Sequence, residues 1–204
     1  MASIFDVAKF ILDKRGKVTS WELQKLCYYC KAWSLALGEE EMFPEKFEAW
    51  KDGPACRALF MEHRKEFYVT NNDIRKGDKD NLSPNSTDVI SAVLSAYKGL
   101  DGNALRVQTH SELPWRDARG ILPDSAPCNN EINETLMRDY YRRSEMFDKM
   151  DDLVLEHKAF RRLLNNSKTY TFSEVMEHLG ITAKDIENAE DIEIEIEPCT
   201  VSEY

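Results

Sequence analysis

Thr19-Ser20-Trp21-Glu22-Leu23-Gln24-Lys25-Leu26-Cys27-Tyr28-Tyr29-Cys30-Lys31-Ala32-Trp33-Ser34-Leu35-Ala36-Leu37-Gly38 is the stretch whose reading decides the fold. It opens in the form of a capping box, in which the Thr19 hydroxyl and the Glu22 carboxylate satisfy free amides at a helix start. Gly38 marks its end. Trp21, Leu26, Tyr29, Cys30, Trp33 and Leu37 give this helix a broad apolar face, too rich in aromatic area to be left in water. Such a face requires partner elements. Just upstream, Ile4, Phe5, Val7, Ala8, Ile11 and Leu12 recur at helical spacing, and Lys14-Arg15-Gly16 supplies cations and a cap at the helix end.

Downstream the period changes. Phe47, Ala49 and Lys51 alternate with Glu48 and Trp50, which predicts a short hairpin or edge strand, part of a small sheet around residues 43–50. Asp52-Gly53-Pro54 signals a turn, and Pro54 suits the first turn of a third helix reaching about Glu66. Phe67-Tyr68-Val69-Thr70 reads as a small strand and residues 71–86 as a polar surface loop. Helices are expected over Thr87 to about Tyr97, from near Asn103, and from Glu134 to about Asn165. The expected fold is mainly helical α+β: a compact helical domain over residues 1–165 with a small β-hairpin or sheet, then a C-terminal accessory segment over 166–204.

The 204 residues are enough for one substantial domain with its own core, and no apolar run is long enough to span a membrane. Nothing at the N-terminus has the form of a secretion signal, so the expected compartment is the cytoplasm. Net charge is −10, which disfavours general nucleic-acid binding. The excess is uneven, with −7 between Lys184 and Tyr204 and −3 on the rest. Five cysteines, an odd number spread along the chain, fit reduced thiols better than a disulfide framework.

Candidate chemistry is sparse. His110-x-Glu112 followed by Pro127-Cys128-x-x-Glu131 approaches the zinc-deaminase pattern, but Glu131 stands where the second thiolate belongs. Cys27-x-x-Cys30 lies inside a helix without a second pair, and reads as two small apolar groups on adjacent turns. No nucleophile elbow, phosphate loop or dinucleotide fingerprint occurs. His63, His157 and His178 are expected at partly exposed positions of amphipathic helices. No cofactor or metal is expected.

Three segments carry a resemblance. The helix from Leu23 to Leu37, the turn Phe47-Glu48-Ala49-Trp50-Lys51-Asp52-Gly53-Pro54, and Thr109-His110-Ser111-Glu112-Leu113-Pro114-Trp115-Arg116-Asp117-Ala118-Arg119 are similar in order and spacing to motifs of the Panacea domain family, the SocA-like antitoxins. The similarity extends over roughly residues 4–143. The matched positions are Gln24, Tyr28, Trp33, Trp50, Gly53, Pro54, His110, Glu112, Pro114, Trp115 and Arg119. Cys27, Cys30 and Ala55-Cys56-Arg57 depart from the family pattern at packing positions. The resemblance implies a mostly helical antitoxin domain, without catalysis, that neutralises by direct contact a cognate toxin encoded beside it. Protease adaptor and transcriptional regulator are the alternatives, with a zinc enzyme behind them.

The same residues also have a structural reading. Trp33, Trp50 and Trp115 supply core area, and Arg119 can pair with Glu112 or Asp117. Trp33 and Trp50 are expected to be largely buried, each costing about 3–5 kcal/mol on truncation. In the tail, Ile192-Glu193-Ile194-Glu195-Ile196-Glu197 alternates strictly, which suits either a strand added to the sheet edge of a partner or an edge strand of the protein itself.

Overall fold

The helix that opens after Thr19 lies at the centre of the molecule. In the computed structural model, which describes residues 2–39 and 41–164, α2 (Ser20–Ala36) is buried without interruption from Leu23 to Ser34. Its N-cap is the Thr19 hydroxyl, which accepts the Glu22 amide at 3.2 Å. The single apolar face read from sequence is thus an understatement, since a helix enclosed by neighbours on every side has no solvent face to leave polar. Trp21 is the exception. It sits at the helix entrance and is 41% exposed, contrary to its expected place in the apolar face.

The elements that enclose α2 follow in chain order. They are α1 (Ile4–Arg15), β1 (Val18–Thr19), β2 (Glu48–Trp50), β3 (Gly53–Ala55), α3 (Arg57–Glu62), β4 (Tyr68–Val69), α4 (Pro84–Ala96), α5 (Gly102–Ser111), α6 (Leu113–Arg119), α7 (Glu134–Arg142) and α8 (Phe147–Leu164). Two antiparallel pairs, β1 with β4 and β2 with β3, make the small β component of a mainly helical α+β fold. α1, α4, α5 and α7 pack directly on α2, and residues 2–162 belong to one unit with a continuous apolar core.

Several boundaries differ from expectation for identifiable reasons. Gly53 and Pro54 do not begin a helix. They form β3, with Ala49 opposite Pro54 and Trp50 opposite Gly53, and the reversal falls at Lys51-Asp52. No strand occupies residues 43–47. Instead the other side of β2 is flanked by residues 130–132, where the Ala49 amide donates to Asn130 O and the Ile132 amide to Phe47 O. α4 starts at Pro84 rather than Thr87, because Ser83 caps the Ser86 amide and proline suits the first helical position.

The long helix expected from Glu134 is two helices broken at residues 143–146. α7 is buried through Met137 and Tyr141, α8 through Met150 and Val154. From Tyr141 to Met150 is about two and a half helical turns, so one straight helix would point the second apolar stripe away from the core. The break lets both face inward. The tail hexapeptide Ile192, Glu193, Ile194, Glu195, Ile196 and Glu197 lies outside the described residues, as do His178 and Cys199.

Candidate functional site

The residues of the three motifs converge. Gln24 of α2 accepts the Cys56 amide through Oε1 at 2.8 Å, which leaves its NH2 facing His63 Nε2 at 3.0 Å and the Cys56 carbonyl at 3.4 Å. The same geometry makes His63 Nε2 the acceptor and places the ring proton on Nδ1. His63 is 2% exposed rather than the partly exposed residue expected, and burial lowers its pKa and keeps it neutral. One turn on, Lys25 is fully enclosed and donates from Nζ to Pro54 O at 2.9 Å. Burial drives its pKa down to about 7, against a raising pull from Asp52.

Gly53 fits beneath that lysine. Its φ is +95°, and a Cβ there would stand 2.5 Å from Lys25 Cε and 2.9 Å from Thr109 Oγ1. Only glycine meets both conditions.

The third motif ties the other two together. Trp115 is buried and its Nε1 donates to Trp50 O at 2.9 Å. His110 stacks on the Trp115 ring with centroids 3.9 Å apart, while the Arg119 guanidinium lies 4.8 Å from the centroid of the same ring. Pro114 sits in the first turn of α6, where its missing N–H costs nothing. Among the described residues Arg119 pairs with no carboxylate. It donates to the carbonyls of Ala49, Pro123, Asp124 and Ala126, which overturns the expected ion pair with Glu112 or Asp117. A guanidinium's several donors suit a cluster of backbone acceptors that one carboxylate could not replace. His110 Nδ1 is 3.9 Å from Asp124, but burial and Arg106 lower the imidazole pKa to about 4, so the ring is neutral and this is no ion pair.

Glu112 points elsewhere. It accepts the Tyr141 hydroxyl at 2.6 Å and the Tyr29 hydroxyl at 3.2 Å, with the Gln108 side chain adding a further hydrogen bond. Burial outweighs these bonds and raises its pKa to about 7. Tyr28 stands beside this group, its ring edge-on to Tyr29 and to Tyr141. His110 and Glu112 therefore face different surroundings, and among the described residues no three metal-ligating side chains converge. Cys27 and Cys30 are buried thiols of the core, with pKa values raised first by burial.

Trp33 is 1% exposed and donates from Nε1 to Tyr97 Oη at 3.0 Å. Trp50, by contrast, is only half-buried. Its ring packs against Phe60, its Nε1 reaches Glu48, and Arg57 covers its outer face. On a three-residue strand the alternation that buries Ala49 turns Trp50 outward.

Sequence reasoning missed Lys25, Tyr97 and Tyr141, all buried around these motifs, and placed Tyr29 on the apolar face without its bond to Glu112. The adjacent pairs Tyr28-Tyr29 and Tyr140-Tyr141 were the available signal.

The network so described coincides with a known family. Residues 23–116 match the family model described as antitoxin SocA-like, Panacea domain. Over that span the chain is similar to a Panacea domain. The match runs from Leu23, at the buried start of α2, to Arg116 in α6, and so contains the first two motifs and most of the third. No curated protein and no solved structure matches the chain. No helix among the described residues is long and apolar enough to cross a membrane.

Proposed function

We propose that this protein is the antitoxin of a toxin–antitoxin pair, acting in the cytoplasm and neutralising by direct binding, without catalysis, a toxin encoded beside it. The observation that carries this reading is the match of residues 23–116 to the SocA-like antitoxin family. The use of the motif polar groups supports it. Gln24, Trp115 and the Arg119 NH1 and NH2 groups donate to backbone carbonyls and internal partners, an arrangement that holds three chain segments together. A charge of −10 favours a protein partner over a nucleic acid.

On this reading residues 1–165 form the antitoxin domain. Residues 166–204 are an accessory segment whose Ile192, Glu193, Ile194, Glu195, Ile196 and Glu197 contact the toxin. The test is genetic. Each small reading frame adjacent to the gene is induced alone and then with this protein. One of them should arrest growth alone and be relieved by co-expression with this protein. If no neighbour is toxic, or a toxic neighbour stays toxic in its presence, the reading fails.

A further inference from the structure

The motif contacts leave one feature unused, a cavity of about 550 Å³ beside Glu112. Its walls are aromatic, formed by Trp33, Tyr97, Tyr140 and Tyr141. Among the described residues its charged lining comprises Glu112, Asp139 and Glu145 against a single cation, Arg143. The volume falls within the range of about 300–1,000 Å³ of ligand-sized sites. That is ample for one long side chain and part of the segment carrying it.

Glu112 is the unusual member. Its residue is 5% exposed, yet the groups that reach its carboxylate are the neutral donors Tyr29, Tyr141 and Gln108. Asp139, at the rim, is already met by its neighbour Arg138 at 2.9 Å, and no hydrogen bond or ion pair joins Arg143 to Glu112. Buried carboxylates are normally paired with a cation. A carboxylate has roughly four acceptor directions, so one remains after three donors. The surrounding ring faces attract positive charge. A guanidinium answers both demands, because it is weakly hydrated, lies flat on aromatic rings and hydrogen-bonds carboxylates through a planar fork, whereas an ammonium is compact and strongly hydrated.

We propose that this cavity is a socket for an arginine side chain presented by a partner protein, paired with Glu112 and enclosed by the aromatic walls. On the antitoxin reading, on which the identity of the partner rests, the arginine belongs to the toxin. The penalty that burial places on the Glu112 carboxylate, which raises its pKa to about 7, is offset by the opposite charge when a cation arrives, so the free site holds an acid that the partner completes.

The experiment uses the full chain and two probes at about pH 8, where Glu112 is ionised. Acetyl-arginine methylamide and its neutral isostere acetyl-citrulline methylamide are titrated while the Trp33 indole resonance is followed. The arginine probe should shift that resonance saturably, in the low millimolar range. The citrulline probe should bind about tenfold more weakly or worse, and Glu112→Gln should lose a similar factor. Because Glu112→Gln disturbs a buried position, Tyr140→Leu on the half-exposed wall provides a second variant, expected to weaken the arginine probe several-fold. Equal binding of the two probes, no saturable shift, or unchanged affinity in the folded variants would overturn the socket. A wild-type chain that binds the arginine probe but relieves no toxic neighbour would remove the antitoxin reading and leave the socket standing.

Discussion

At the scale of single residues, Glu112 and Lys25 are ionisable groups buried without a matching charge, and they pull stability in opposite directions with pH. Glu112 titrates near 7 in the folded chain against an ordinary 4.5. Between those values the folded state keeps a proton that the unfolded chain has lost, so stability falls as pH rises through the window, by about 3 kcal/mol at most. Lys25 titrates near 7 against an ordinary 10.5. There the unfolded chain holds the extra proton, so stability rises from about pH 7 to about pH 10.5. Denaturant unfolding across pH should therefore show Glu112→Gln flattening the lower limb. Lys25→Met should gain most over wild type at about pH 6 and progressively less toward pH 10. Curves for wild type and both variants that stay parallel throughout would show that neither group titrates as its burial implies. Neither effect was legible in the sequence, where Lys25 is one cation among twenty-seven. Gly53 was legible as turn chemistry, but its real constraint is the lysine side chain above it, contributed by a helix distant in sequence. The zinc-like pairing of His110 and Glu112 was a coincidence of spacing: His110 ends α5 against Trp115, while Glu112 is the hinge residue before α6 and turns toward α2 and α7.

At the scale of elements, the two tryptophans expected to behave alike separate cleanly. Trp33 lies in the all-round core of α2, edge-on to Tyr141 at 5.1 Å and hydrogen-bonded to Tyr97. Truncation to Ala should cost about 3–5 kcal/mol, the range for a buried aromatic. Trp50 is on the outward side of β2, where Phe60 and Arg57 cover it only in part. Trp50→Ala should cost less than Trp33→Ala, about 2 kcal/mol, because part of its area is already in water before the mutation. Equal losses in chemical denaturation would mean that the β2–β3 hairpin is held as tightly as the central helix. What sequence revealed here were the helices with strong periodicity and caps, α1 and α2. What it hid were features set by tertiary partners. The α7–α8 break follows from two apolar stripes half a turn out of phase, and β3 exists because Lys25 and Ala49 meet Pro54 from either side.

For the whole molecule the decisive property is the division of charge, −7 between Lys184 and Tyr204 against −3 elsewhere. A segment that acidic gains little by lying on a body of the same sign, and it is drawn toward basic surfaces over a Debye length of about 8 Å at physiological salt. Toxins that act on RNA or phosphorylated nucleotides present such a surface at their active sites. The alternating isoleucines would add a strand's worth of apolar contact to the electrostatic attraction. On the proposed antitoxin reading, the arginine socket beside Glu112 and the acidic tail would be two independent grips on one basic partner. Linked grips combine through effective concentration, so losing either should weaken the complex by more than its own contacts suggest. Deleting residues 184–204 should leave the melting temperature of the body unchanged while toxin neutralisation in co-expression falls, and the fall should be steeper at high toxin induction, where affinity limits protection. Full protection by the truncated chain would confine recognition to the folded domain. A lowered melting temperature would instead assign the tail to the fold, as an edge strand with its charges turned to water.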